Sequence, residues 1–456
     1  MIGKLRALVT GQFVRAVGIL VGGTVIAQAI LAIALPFATR LYSPDQFSTL
    51  AVFTGIVSII SVATCLRYDI AVPLPEREAD AVAMVLLAGA IAAVINVLLL
   101  VVALLAPNSI AQALGHPELA AHLWLVPIAT FLAGAYSTMQ FWFVRNKQFS
   151  RLAQNRIAQA AGSATTQIGF GLVGIAPLGL LLGQVVNSGL GAIGLGARFI
   201  AQQRSAIAQV TASDALRVAR HYRRFPQYSA LEAICNSAAI YLPIILLSAW
   251  ASGPEAGYLV LGMYAMQVPM SLIGNAVSQV YMSRGAKEER AGRLASFTVD
   301  VLSGLIKTGV GPLICVSIAA PELFKLVFGP DWIRAGILVG WMCPWFIMQF
   351  LASPVSLALH IKHRLAEALG LQIFGLVLRT GAVLLAASLA GQPLAEGYAL
   401  SGFIFYLAYV LVILHVIGAR LRALVAPIVG ALPIIAGWAV LGGIAGVGLS
   451  LFNGSV

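Results

Sequence analysis

Charge is scarce in this sequence. Asp, Glu, Lys and Arg make up 10% of its 456 residues, where a soluble domain carries about 25%. A water-soluble chain of this length needs far more charge to cover its surface, so a soluble globular protein is excluded. Cysteine is scarce too. Cys65, Cys235, Cys315 and Cys343 all sit inside apolar runs with no metal-ligand spacing, and they read as small buried hydrophobes. The six histidines are scattered. Nucleophile elbows, phosphate-cradling loops and nucleic-acid motifs are missing, and no polar segment is long enough to fold alone. An enzyme, a cofactor and a nucleic-acid partner are therefore not expected.

What the chain has instead is long apolar runs, with 60% hydrophobic residues overall. About 20 apolar residues cross the hydrocarbon core as a helix. Runs of that length fall at 16–39, 46–66, 79–105, 118–143, 154–174, 177–200, 227–250, 256–282, 296–319, 333–359, 365–390 and 394–417. A further stretch at 424–452, rich in glycine and broken by Pro433, is a thirteenth candidate. The first run follows Lys4, Arg6 and Arg15 but is too long for the apolar part of a signal peptide, so it reads as a spanning helix. The expected fold is all-α and polytopic.

The net charge of +12 is explained by topology. With the N-terminus in the cytoplasm, the outer loops hold only Arg40, Lys325 and Arg334, and Lys307 and Arg379 fall within spans. The rest of the 28 basic residues lie in inner loops, as the positive-inside rule requires. The longest loop, 201–226, is basic and divides the chain into an N-terminal six-helix lobe at 1–200 and a C-terminal one at 227–418, with 419–456 left for the extra helix and tail. Landmarks recur in the two halves: Ser43-Pro44-Asp45 with Gly253-Pro254-Glu255, Gly115-His116-Pro117 with Gly329-Pro330-Asp331, and Arg145-Asn146-Lys147 with Ile361-Lys362-His363. Two related lobes entering from the same side predict parallel repeats around a central cavity.

Polar residues inside spans locate the chemistry. Ser296, Asp300, Ser303 and Lys307 share one helical face, as do Gln267, Ser271, Asn275 and Ser278; Thr24 and Gln28 share another. Uncharged members of such stripes commonly hold membrane helices together. Cations are different: a Lys or Arg at the centre of a spanning helix costs roughly 2.5–3.5 kcal/mol on insertion scales and usually marks a pathway. Lys307 and Arg379 are therefore the leading substrate contacts, with Gln28 and Asn275 beside them. A Lys307–Asp300 bridge is the structural alternative. Two mid-span cations imply an anionic cargo such as a phosphate or an acidic sugar. Glu232, Asp69 and Asp300 lie near the cytoplasmic ends of spans and are candidates for a coupling H+ or Na+; local pairing with Arg67 is the favoured alternative for Asp69, and Glu232 has the Arg223–Arg224 pair nearby. Pro36, Pro127, Pro243, Pro269, Pro312, Pro344 and Pro354 fall within spans and can kink them.

The ordered series Leu41-Tyr42-Ser43-Pro44-Asp45-Gln46-Phe47, Arg67-Tyr68-Asp69-Ile70-Ala71-Val72, Arg145-Asn146-Lys147-Gln148-Phe149, Phe225-Pro226-Gln227-Tyr228-Ser229 and Phe328-Gly329-Pro330-Asp331-Trp332 resembles bacterial polysaccharide transporters, the O-antigen and exopolysaccharide flippases. The resemblance covers roughly residues 10–420. It implies a MATE-like fold shared with multidrug antiporters and lipid II flippases. It also implies flipping of an undecaprenyl-pyrophosphate-linked oligosaccharide across the bacterial inner membrane, coupled to an ion gradient, with membrane lipids and polysaccharide polymerase machinery as partners. An ion-coupled drug or metabolite antiporter of the same superfamily is the alternative. Val72-Pro73-Leu74-Pro75 and the thirteenth apolar stretch depart from the family pattern.

Overall fold

The structure, a computed structural model, describes residues 2–251, 253–362, 364–389 and 393–455. Among them no strand occurs. The helices run in the order α1 Ile2–Leu41, α2 Pro44–Thr64, α3 Tyr68–Ala71, α4 Glu78–Leu105, α5 Pro107–Ala113, α6 Leu125–Arg145, α7 Phe149–Leu172, α8 Leu178–Gln209, α9 Ala212–His221, α10 Ala230–Trp250, α11 Glu255–Arg290, α12 Leu294–Leu305, α13 Gly311–Phe328, α14 Ile333–Val355, α15 Leu357–Ile361, α16 Leu365–Ser388, α17 Leu394–Val416 and α18 Val425–Ser455. Every apolar run of the sequence carries a long helix.

Ten of these helices are long and apolar enough to cross a membrane, among the described residues. The chain is an all-α, multi-pass membrane protein. The long helices α6, α7 and α11 are less apolar, and for α6 and α7 the reason is visible. On α7, Asn155, Gln159 and Ser163 are buried where α8 presents glycines: a Cβ on Gly191 would collide with Gln159, and one on Gly194 would crowd Asn155. Thr130 of α6 donates to Asn96 of α4. Polar residues facing protein rather than lipid lower hydropathy without leaving the membrane.

The chain forms two compact units, residues 1–42 with 49–241, and residues 43–48 with 242–456. In the first, α1 packs on α7, α7 on α8, α6 on α8, and α4 on α6. The loop after α2 turns through Leu66 and Arg67, both at positive φ (48° and 63°), into the short α3. Arg145, at the end of α6, donates to the carbonyls of Pro73 (3.0 Å) and Pro75 (2.5 Å), which fixes the stretch that carries the unusual second proline. The basic linker folds into α9. Val218 buries its apolar side, and Tyr68 donates to the Ala219 carbonyl at 3.1 Å. A capping box at Thr211 and Asp214 starts α9. Thr211, then Arg217, hold the Asp214 carboxyl down at about 2. The cap is therefore complete above the ordinary Asp value near 3.9 and is lost as pH falls through about 2.

In the second unit, Ser43 and Gln46 cap α2 reciprocally, with Ser43 N–H to Gln46 Oε1 at 3.0 Å and Gln46 N–H to Ser43 Oγ at 3.4 Å. Pro44 fits the first helical turn because its missing N–H has no partner there. Phe47 meets Trp332 edge-on at 4.9 Å, and Tyr258 meets the same indole at 5.9 Å. Gly257 donates to Ser48 Oγ at 2.8 Å, an approach only glycine allows, since a Cβ would lie 2.2 Å from the Pro44 carbonyl. Three landmarks far apart in sequence, around 44, 257 and 332, thus meet at one point. Helices α11, α13 and α17 pack on α14, and α16 on α17.

The thirteenth apolar stretch is a full helix, α18, docked along α13. Gly442 lies against the Cys315 backbone, and Gly311 of α13 faces Trp438. Replacing Gly442 with leucine puts a side chain where a Cβ already meets backbone at 2.8 Å. Overpacking of this kind costs about 1–3 kcal/mol. The G442L protein is expected to show a lower unfolding temperature in detergent and faster proteolysis of α18; an unchanged protein would mean that α18 does not dock there.

Candidate functional site

The groups with chemistry in the membrane are the charges, and each is placed differently. Lys307 stands on a π-helical turn, Ile306–Val310, between α12 and α13. Single π turns inside α-helices recur at functional sites. Gly309 makes this one: its missing side chain admits the Phe350 ring of α14, which a Cβ would meet at 2.2 Å. Lys307 and Thr308 are exposed side by side. Thirteen residues separate Lys307 from Leu294 and twenty-one from Phe328, so its Cα lies roughly 20 Å from the nearer end of this continuous span. No ion pair within the described residues engages it, so the expected alternative of a bridge to Asp300 is not formed. Asp300 is exposed on α12.

Arg379 is 4% exposed on α16. Among the described residues no carboxylate is paired with it. Its guanidinium carbon lies over Trp345 at 4.9 Å, Phe405 at 5.0 Å, Tyr406 at 5.5 Å and Tyr398 at 5.7 Å. Aromatic faces carry negative charge density, and a desolvated cation gains about 2 kcal/mol or more from such contact. The Arg379 Nε and Nη2 have no hydrogen-bond partner among the described residues. The sequence reading placed Arg379 on a cavity wall; the structure encloses it within the second unit.

The remaining candidates are dispersed. Asp69 is 4% exposed in the first unit. Its Oδ2 accepts from Ser137 at 2.5 Å, its Oδ1 has no partner, and no ion pair joins it to Arg67. Gln28 is half-buried on α1. Glu232 is exposed in the first turn of α10 with no ion pair to Arg223 or Arg224. Asn275 lies on α11, and its side chain is outside the described residues.

Two arrangements escaped the sequence reading. Arg156, counted as a loop residue, lies inside α7 and donates to Thr24 of α1 at 2.5 Å, next to the Thr24–Gln28 face. Arg334, counted as an outer-loop cation, opens α14 and holds two acids: Nε and Nη2 reach Glu255 at 3.0 and 3.1 Å, and Nη2 reaches Glu396 at 2.6 Å. These join the first turns of α11, α14 and α17, where helix dipoles favour carboxylates. The signal available in sequence was the recurrence of one charge just after each turn; partner identity needed coordinates. No metal-holding cluster of His, Cys, Asp and Glu occurs among the described residues.

The sequence profile of the polysaccharide biosynthesis protein family matches residues 37–336. No curated protein matches the chain by sequence. Among solved structures, the lipid II flippase MurJ in an inward closed conformation superposes with a TM-score of 0.75 at 11% identity, over 95% of this chain and 97% of that one. An inward-facing multidrug resistance MATE family transporter of the MOP superfamily gives 0.58 at 15% identity, over 86% and 94%. A MOP superfamily transporter from Pyrococcus furiosus, whose structure is described as having a binding pocket of reversed polarity, gives 0.53 at 14% identity, over 88% and 95%. At these identities the likeness is one of fold.

The aromatic enclosure sets an expectation for Arg379. A guanidinium spreads over several rings, and an ammonium does not. Arg379→Lys is expected to destabilise the purified protein by about 1–2 kcal/mol, and Arg379→Met, which removes the buried charge altogether, to cost less. Thermal unfolding in one detergent ranks the three. A lysine variant as stable as wild type would contradict the enclosure.

Proposed function

The chain belongs to the polysaccharide biosynthesis protein family, and from that premise we propose that it flips a polyprenyl-pyrophosphate-linked oligosaccharide across the bacterial inner membrane by alternating access, with its N-terminus in the cytoplasm. The observation that carries this reading is Lys307. A cation exposed on a π turn, well inside a span and without an ion pair among the described residues, is costly unless something negative visits it. A pyrophosphate carried on a lipid is such a visitor, and polysaccharide synthesis provides it. Lys307 is the phosphate contact. Arg379 adds positive potential from within its aromatic enclosure and holds the second unit in shape. Gln28 and Asn275 are further contacts for the cargo, and Arg156 joins Gln28 on the first unit. The cargo is made for O-antigen, capsule or exopolysaccharide, and a polymerase receives it.

Asp69 is the leading coupling group. A buried carboxylate with one oxygen bonded and the other free can take up H+ or Na+. Glu232 and Asp300, both exposed, are the secondary candidates. The antiporter alternative has support from the fold shared with the multidrug transporter. It calls for acidic rather than basic groups at mid-span when the drug is cationic, and Lys307 and Arg379 argue against it.

Charge removal tests the reading. In a strain whose native gene has been deleted, Lys307→Gln is expected to abolish surface polysaccharide at unchanged protein level, and Lys307→Arg to restore most of it. Full polysaccharide display with K307Q would remove the anionic cargo. Asp69→Asn is expected to retain lipid-phosphate binding while flipping loses its response to an imposed ion gradient; an unaltered gradient response would free Asp69 of the coupling role.

A further inference from the structure

A polar cleft of about 690 Å³ opens at one end of the second unit, and neither Lys307 nor Arg379 lines it. Trp250, the last residue of α10, forms one wall. Glu255 in the first turn of α11 and Arg334 in the first turn of α14 form another, and Ser388 at the end of α16 and Leu394 at the start of α17 complete it. The Trp250 side chain is 48% exposed. Arg334 is held by Glu255 inside the cleft and by the buried Glu396, which does not line it. These bonds use Nε and Nη2, so the Arg334 Nη1 has no partner among the described residues. Ser388 donates to the Leu385 carbonyl at 2.7 Å, which leaves its oxygen able to accept.

We infer that this cleft binds a sugar ring of the cargo's oligosaccharide on the outer side of the membrane; the inference rests on the flippase reading and its topology. Charge narrows the occupant first. The lining holds one guanidinium and one carboxylate, already paired with each other, so neither a lone anion nor a lone cation finds an uncompensated partner there. Hydrogen bonding narrows it next. Arg334 Nη1 donates, while Glu255 and Ser388 accept. A ligand that meets all three must both donate and accept, as neighbouring hydroxyls do. A hydrocarbon chain would strip water from the paired charges and return nothing. The indole supplies the third element. A pyranose is polar around its rim and apolar on the face where its C–H bonds point, and an exposed Trp ring gives that face a flat apolar partner. The volume falls within the roughly 300–1,000 Å³ of small-ligand clefts. The place agrees as well: the ends of α10 and α16 and the starts of α11, α14 and α17 share the outer side in the proposed orientation, where a flipped sugar arrives.

The test is equilibrium binding of the repeat-unit oligosaccharide, released by mild acid from the native strain's surface polysaccharide, to the full-length protein in a detergent without a sugar headgroup. Wild-type protein is expected to bind it. Trp250→Ala removes the stacking face and Ala387→Trp fills the cleft. Both positions are exposed, and each variant checks the other if one fails to fold. Both are expected to weaken the oligosaccharide about tenfold or more, and Trp250→Phe to retain most of the affinity. Inorganic phosphate and phosphoethanolamine are expected not to compete. If wild type binds no oligosaccharide, or if W250A and A387W bind it as wild type does, the sugar docks elsewhere and the inference falls, while the flippase reading at Lys307 stands. If phosphoethanolamine displaces the sugar, the cleft takes lipid headgroups and the inference falls. Displacement by inorganic phosphate makes it an anion site, with the same consequence. Full polysaccharide display with K307Q removes the flippase reading whatever this cleft binds.

Discussion

A charge inside hydrocarbon has no water to stabilise it, so the protein must supply a substitute at every such position. Four of the buried or half-buried charges here receive one. Arg379 has four aromatic faces, Arg156 has the Thr24 hydroxyl, Arg334 has two carboxylates, and Asp69 has the Ser137 hydroxyl on one oxygen. Lys307 receives no ion pair from the described residues. The fold spends a π turn, a glycine and a ring of Phe350 on presenting it. The proposal for Lys307 rests on that contrast rather than on depth in the membrane alone.

The same constraint explains why the helices differ in polarity. Helices α4 and α18 carry long apolar faces exposed outside the protein, and α18 joins through small residues that let backbones approach. Helix α7 is the opposite: its amides face α8, where glycines leave room for them. Outside the spans the basic linker is also ordered. Helix α9 is capped at Thr211, pinned through Tyr68, and tied through Arg217 to Asp80 at 3.0 Å.

Most of the fold was legible because apolar run length maps directly onto spanning helices. All-α architecture, the helix positions and the helical nature of 424–452 needed nothing more. The motifs were legible as motifs but not as contacts. Ser43–Phe47 announced a helix start, yet its meeting with Gly257 and Trp332 depends on chain paths that local patterning does not encode. The charges were legible only in part. Periodicity put Lys307 and Asp300 on one face, but a π turn shifts the register after Leu305, and no pair forms. Arg379 stood out by depth alone, and nothing nearby in sequence revealed Trp345, Tyr398 or Phe405 around it. Arg334 was assigned to a loop because its acids lie far along the chain.

The central claim is that Lys307 handles the phosphate of a lipid-linked sugar on its way across the bilayer. The direct measurement is flipping by the full-length protein reconstituted in liposomes, with a fluorescent polyprenyl-pyrophosphate-linked sugar loaded in the inner leaflet and a membrane-impermeant quencher outside. Wild-type protein is predicted to bring the fluorophore into the quencher's reach, K307Q to leave it protected, and K307R to recover the exchange. Equal rates for wild type and K307Q would contradict the account.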